Sequence, residues 1–243
     1  MKQLLLSFGL CFLSIWGWTQ GSAFGVKGGA TVGIQRWNGL DQGALFKYHG
    51  VAYIETLDVE DNLFAIFGQV GYHIKGSALR NTRFTLNNGN IFNLPAQEFQ
   101  FRNISLTIGG KKKFAVGSNR DNRAYYLLGI RGDYTLNTNL DEYQEANNLF
   151  SNFFPSDNWV RRFNYGATVG GGFEFPFSEL VGGIIEFTVN PDLSRQYWQP
   201  ALENVPDPFN PGSNRTINER QIYNVTLEIS LGIRLLRVVE YID

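Results

Sequence analysis

The chain has 243 residues, with Lys+Arg 21 against Asp+Glu 22, 27 glycines, a single cysteine, 15% aromatic and only 18% charged residues. A near-zero charge removes the broad basic surface of a general nucleic-acid binder, and the many Phe and Tyr residues exclude long disorder and a coiled coil. Glycine and aromatics are both abundant while helix-forming runs are scarce, which is an all-β composition.

At the amino end, Met1-Lys2 precedes a mostly apolar run from Leu4 to Trp16, and small residues follow at Gly21, Ser22 and Ala23. One positive charge, an apolar run and a small-residue exit make the pattern of a secretory signal peptide. Residues 1–20 are therefore expected to be removed, with cleavage after Gln20 or after Ala23. The run is too short for a spanning helix, which needs ~20 apolar residues. Cys11 lies inside it, so the mature chain is expected to carry no thiol, which excludes disulfide scaffolds, thiolate zinc sites and cysteine nucleophiles.

From residue 24 to 236 a period of two organises the chain, and residues 237–243 are left as a short periplasmic tail. The first expected strand carries Phe24, Val26, Ala30, Val32 and Ile34 on one face. The second, Ala44 to Thr56, carries Phe46, Tyr48, Ala52 and Ile54, with Val51 and Tyr53 blurring its opposite face. The third presents Phe64, Ile66, Val70, Tyr72 and Ile74, the fourth Ile104, Leu106 and Ile108, and the fifth Tyr126, Leu128, Ile130, Tyr134 and Leu136. The sixth runs from Phe163 to Phe175 with Asn164, Thr168 and Glu174 on its polar face, and the seventh carries Val181, Ile185, Phe187 and Val189. The eighth, Tyr223 to Leu235, alternates without an error.

Most of these strands exceed the ~5–6 residues of globular sheets and match the ~9–11 of membrane-crossing ones. Their connections alternate in size. Asp58 to Asp61, Val116 to Asn122 and Ser178 to Glu179 are short, whereas Gly76 to Glu98, Asn137 to Asn158 and Pro191 to Asn218 are long. Short periplasmic turns and long outer loops mark an outer-membrane barrel. The expected fold is therefore an eight-stranded antiparallel transmembrane β-barrel, placed in the cell outer membrane with its lipid, lipopolysaccharide included, as its first partner.

A soluble eight-stranded barrel would turn its apolar face inward. Here the polar faces hold too few charges for a water-exposed exterior, so the apolar face is set against lipid. Lys27, Glu55, Arg131, Asp133, Glu174, Glu186, Glu228 and Arg234 then form a lumenal charge network, with Glu186 and Glu228 expected against Arg131 or Arg234. Inward glycines such as Gly25 and Gly172 are read as making room for Arg and Glu side chains, giving a plugged lumen. Trp37, Trp159 and Trp198 are expected in the outer aromatic belt. Lys111-Lys112-Lys113 and Arg161-Arg162 read as solvated strand ends or lipid-headgroup contacts.

Several stretches resemble the PorT-like outer membrane β-barrel family of Bacteroidota. They are Gly25-Val26-Lys27-Gly28-Gly29, Asn103-Ile104-Ser105-Leu106-Thr107-Ile108, Tyr126-Leu127-Leu128-Gly129, Tyr165 to Glu174, and Leu227-Glu228-Ile229-Ser230-Leu231-Gly232-Ile233-Arg234. The resemblance covers nearly the whole mature chain. It implies an eight-stranded outer membrane barrel, in a family whose namesake is linked to type IX secretion and gliding, and it brings no catalytic residues. Two departures are the long last loop opening at Pro191 and the residues after the final strand, which end on Asp243 rather than an aromatic.

Recognised enzyme motifs are absent from the sequence: there is no HExxH, GxSxG, P-loop or GxGxxG after a strand. No catalytic residue, cofactor or metal is expected. The function expected is a non-enzymatic structural or accessory component of an envelope secretion or assembly complex. The alternative is a small outer-leaflet enzyme acting on lipid or peptide, for which His49 and His73 are the only candidate bases. Loops on a rigid barrel are where function resides, and Asn147 to Pro155 is expected to expose apolar side chains outward. Tyr197, Trp198 and Phe209, held by neighbouring prolines, make the candidate contact loop for an envelope protein.

Overall fold

A computed structural model describes residues 21–37, 42–57, 64–80, 83–85, 91–93, 95–117, 122–149, 154–207, 210 and 212–238. The expected signal segment, Phe209 and residues 239–243 lie outside these. Among the described residues, eight long strands form one antiparallel ring: β1 (Gly21–Arg36), β2 (Gly43–Leu57), β3 (Phe64–Leu79), β4 (Gln97–Val116), β5 (Asn122–Thr138), β6 (Phe163–Pro176), β7 (Val181–Pro191) and β8 (Arg220–Val238). Each pairs with its neighbours in chain order. β8 closes on β1 in an unbroken register that runs from Gly21 opposite Val238 to Arg36 opposite Tyr223. Closure leaves no unpaired edge, which a lipid environment requires.

Alternation along each strand sorts the side chains. Ile130, Leu231, Leu128 and Tyr48 are 75%, 65%, 63% and 62% exposed, and Phe46, Val70, Ile104 and Ile229 share this outer surface. A continuous apolar exterior of this size is tolerable only against acyl chains. The same strands bury Lys27, Glu55, His73 and Arg131 on the opposite parity. Val51 and Tyr53, which blur the pattern of β2 in sequence, both face the lumen.

The strands span 11 to 20 residues, all but the shortest longer than a bilayer needs, and the surplus raises a wall at the long-connection end. There the outward positions of β4 turn polar at Glu98, Gln100 and Arg102 before Ile104 and Leu106 resume the apolar belt. The long connections fold over this end. Arg83–Thr85 pairs with Ile91–Asn93 as a small hairpin. A turn at Leu140–Tyr143 leads into a short helix, Gln144–Leu149. Tyr197–Gln199 pairs with the start of β8, and Leu202–Pro206 forms a hairpin with Asn214–Ile217. At the other end the β6–β7 turn is closed by Phe177 and Ser178 N–H donating to the Val181 carbonyl at 2.8 and 2.9 Å.

Two glycines show what the small inward positions accommodate. A Cβ on Gly25 would stand 2.9 Å from the Tyr53 hydroxyl, and one on Gly172 would stand 2.6 Å from the Tyr125 hydroxyl. The nearest atoms to the two are backbone carbonyl oxygens of the adjoining strands, those of Ile233 and Ile185 respectively. These glycines therefore admit close strand approach as well as a tyrosine hydroxyl, and no Arg or Glu side chain is among their nearest neighbours.

Candidate functional site

The lumen is filled by a column of polar side chains whose layers follow from strand register. Nearest the short-turn end, Glu55 accepts from Lys111 Nζ at 2.8 Å, Lys113 Nζ at 2.7 Å and Arg234 Nε at 3.0 Å, while Lys113 also reaches Glu174 at 3.0 Å. One layer further, Lys27 pairs with Glu186, which also accepts from the Tyr125 hydroxyl at 2.7 Å. At mid-height His73 Nδ1 lies 2.6 Å from Glu228, and the His49 and His73 rings stack 5.6 Å apart. Above them Lys75 bridges Asp133 at 2.6 Å and Asp192 at 3.0 Å, and Arg131 joins the same two carboxylates at 3.1 and 2.9 Å.

Among the described residues the ion-paired interior sets Lys27, Lys75, Lys111, Lys113, Arg131, Arg234 and His73 against Glu55, Asp133, Glu174, Glu186, Asp192 and Glu228, while buried Arg220 lies over the Trp37 ring. Pairing matters because an uncompensated buried charge costs several kcal/mol. Lys111 is held further by rings: its ammonium stands 4.7 Å from the Tyr125 centroid, 5.2 Å from Tyr53 and 5.6 Å from Phe67.

The partners differ in part from those expected. Glu228 meets His73 rather than Arg131 or Arg234, and Arg234 belongs to Glu55. Lys111 and Lys113, expected as solvated strand ends, are each 1% exposed, and only Lys112 between them points outward. Lys75 and Asp192 join the interior without having been anticipated. Asp192 continues the even, inward parity of Glu186, Thr188 and Asn190 and Lys75 the odd parity of His73, but both stand at strand ends where the alternation weakens.

Toward the long-connection end the polar column gives way to an amide layer, in which Asn224 donates to Gln196 and Gln35 Nε2 donates to Asn224 at 2.7 Å. Above it lies an apolar cap of Trp37, Leu79, Phe99, Phe101, Leu140, Phe154, Tyr197 and Ile222, with Tyr143 and Trp159 packed against it. Trp37 and Phe99 meet edge to face at 5.2 Å, and Phe99 lies 4.9 Å from Tyr143. Three expectations change here. Trp37 is 7% exposed and packs inside the mouth instead of in a lipid-facing belt. Phe154, expected to face outward, is buried, its N–H donating to Asn147 Oδ1 at 2.7 Å. Tyr197 is 0% exposed, so of the three contact-loop candidates only Trp198, at 38%, is an exposed described residue.

The histidines carry part of a hydrolytic arrangement. His49 Nε2 lies 2.8 Å from Ser230 Oγ, a nucleophile–base spacing, but its Nδ1 meets Thr31 Oγ1 at 2.9 Å. The carboxylate that would orient such a base, Glu228, sits instead on His73. Serine, base and orienter are thus divided between two stacked rings, and Ser230 is 3% exposed. A cavity of about 170 Å³ opens at the short-turn mouth, lined by Leu57, Arg123, Glu174, Phe175, Arg234 and Leu236, and the histidines take no part in it. Among the described residues no three His, Cys, Asp or Glu side chains are grouped to hold a metal ion.

No protein-family model matches the chain, and no curated protein sequence matches it. Among solved structures it is similar to the outer membrane protein OprG from Pseudomonas aeruginosa, at 12% identity over 89% of this chain and 99% of that one, with a TM-score of 0.52. Looser likenesses reach the outer membrane protease OmpT from Escherichia coli (9% identity, 89% and 96% coverage, TM-score 0.42) and Neisserial surface protein A (13%, 88% and 97%, TM-score 0.41). At these identities the likeness is one of fold. Ring closure, apolar exterior and charged interior together define a small eight-stranded β-barrel of the outer membrane.

Proposed function

We propose that the chain is a non-enzymatic outer membrane component that acts through its outer loops as an accessory subunit of an envelope secretion or assembly complex, in the manner the PorT-like resemblance implies. The observation that supports this reading is the double closure of the lumen, by the ion-paired column and by the aromatic cap above it. A barrel filled in this way offers no wide aqueous path along its axis, which leaves the surfaces beyond the membrane as the working parts. Of these, Leu202–Pro206 pairs with Asn214–Ile217 as a hairpin outside the ring, and Trp198, shortly before it in the chain, is exposed. The hydrolase alternative rests on the Ser230–His49 contact alone.

Deletion of Glu203 to Asn210 tests the proposal. It touches no barrel strand, so the variant should insert and keep its heat-modifiable migration while a protein co-purified from mild detergent is lost. Unchanged partners in unchanged yield would reduce the hairpin to a lid. Hydrolytic activity abolished by Ser230→Ala would favour the alternative.

A further inference from the structure

On the outside of the barrel, at the long-connection end, three arginines gather around two aromatic side chains. Register sets Arg36 of β1 opposite Tyr223 of β8, and both point outward. The Tyr223 hydroxyl accepts from Arg195 Nε at 3.0 Å. Trp198, opposite Gln221 on the same strand, carries the Arg161 guanidinium 5.9 Å from its ring centroid. Neighbouring Arg162 is already satisfied by Asp157 at 2.8 Å, whereas none of these three arginines has an ion-pair partner among the described residues. Glu219, a carboxylate beside the patch, accepts from Trp198 Nε1 at 2.6 Å and from Gln221 Nε2 and lies within electrostatic reach of Arg195, beyond ion-pair distance.

Three guanidinium groups in one outward patch make a multidentate donor set, and the oxygen array that suits planar forks is a phosphate. Tryptophan and tyrosine mark the depth at which headgroups lie. Directly below, Ile34 faces Val225 and Val32 faces Leu227 across the β1–β8 seam, an apolar track that leads from the arginines into the lipid belt. A soluble anion has no use for such a track, and acyl chains do. We propose that Arg36, Arg161 and Arg195, with Trp198 and Tyr223, form a binding site for the phosphate of an outer-leaflet glycolipid whose chains lie along this seam. The site does not depend on the loop partner proposed above; it needs only the placement of the barrel in the membrane.

The test uses full-length protein in phosphatidylcholine nanodiscs doped with bisphosphorylated lipid A or with its dephosphorylated form, and native mass spectrometry counts the lipid kept after mild detergent extraction. The native chain should keep the bisphosphorylated lipid and release the other. Losing one charge-assisted contact weakens binding by roughly tenfold, so Arg36→Gln, Arg161→Gln and Arg195→Gln should each reduce retention and their combination abolish it. Arg80→Gln, whose guanidinium lies over Phe46 of β2, should change nothing. Heat-modifiable migration confirms folding of each variant, and the single variants carry the test if the triple one fails to insert. Equal retention of the dephosphorylated lipid, undiminished retention by the folded single variants, or displacement of the lipid by inorganic phosphate would each overturn the proposal.

Discussion

Lys111 donates to Glu55 at 2.8 Å while standing 4.7 Å from the centre of the Tyr125 ring, so one buried ammonium is held by a carboxylate and an aromatic face together. The arrangement compensates a lysine that is almost fully buried. It also makes Glu55 the hub of the inner end, since Lys113 and Arg234 converge on the same carboxylate.

Glu55→Gln should therefore remove the carboxylate shared by three cations, at a cost of about 3–5 kcal/mol, the range for breaking a buried pair. Lys111→Met should destabilise too, whereas Lys112→Met, one residue along and facing outward, should be nearly neutral. Urea midpoints of the refolded barrel in detergent provide the comparison. Equal effects at 111 and 112 would reverse the faces of β4.

Glu228→Leu is expected to cost less than Glu55→Gln. Glu228 makes its ion pair with His73 alone, whereas Glu55 meets three cations. A penalty of about 1–3 kcal/mol for the lost hydrogen bond follows, measured in the same unfolding series. A cost as large as that of Glu55→Gln would mean that Glu228 also compensates a fixed cation.

Gly21 is the expected first residue of the mature chain. Ser22 and Ala23 pair with Arg237 and Leu236, and Ala23 is fully buried, so cleavage after Ala23 would cut pairs from the β1–β8 seam, whereas cleavage after Gln20 preserves them. Intact mass of the purified outer-membrane form decides between the two.

Surface topology can be read with thiols, because the only cysteine, Cys11, lies in the expected signal segment. Cysteines at the exposed positions Asn148 and Asn214 should react with an impermeant maleimide on whole cells, and one at Glu179 should not. Asn147 is unsuitable, being buried against Phe154. Labelling confined to Glu179 would invert the barrel.

The ring itself was legible because a lipid-facing surface imposes one rule at every second residue, and strands as regular as Tyr223 to Leu235 leave no other reading. The lumenal set was legible by parity in the middle of each strand and lost near the ends. Lys111 and Lys113 follow Gly109-Gly110, where alternation carries no signal, and Lys75 stands between Ile74 and Gly76 where β3 leaves the apolar belt. Which acid meets which base was not legible. Pairing across the lumen depends on stagger and side-chain reach, so Arg234 finds Glu55 from β2 instead of the acids of its own neighbours. The outer mouth is hidden from the sequence for a related reason: Trp37, Phe154 and Tyr197 look like exposed loop aromatics until separate connections are folded against one another.

The seam between β1 and β8 has a consequence for how the molecule comes into being. Lys27 meets Glu186, His49 meets Ser230 and Gln35 meets Asn224 across 159, 181 and 189 residues of chain, so the earliest-made charges wait for the last-made strands. No amino-terminal fragment can neutralise its own lumen or cover its own edges. Such non-local contacts make for slow, cooperative folding. Charge pairing and a lipid-compatible surface are therefore complete only once β8 has closed on β1.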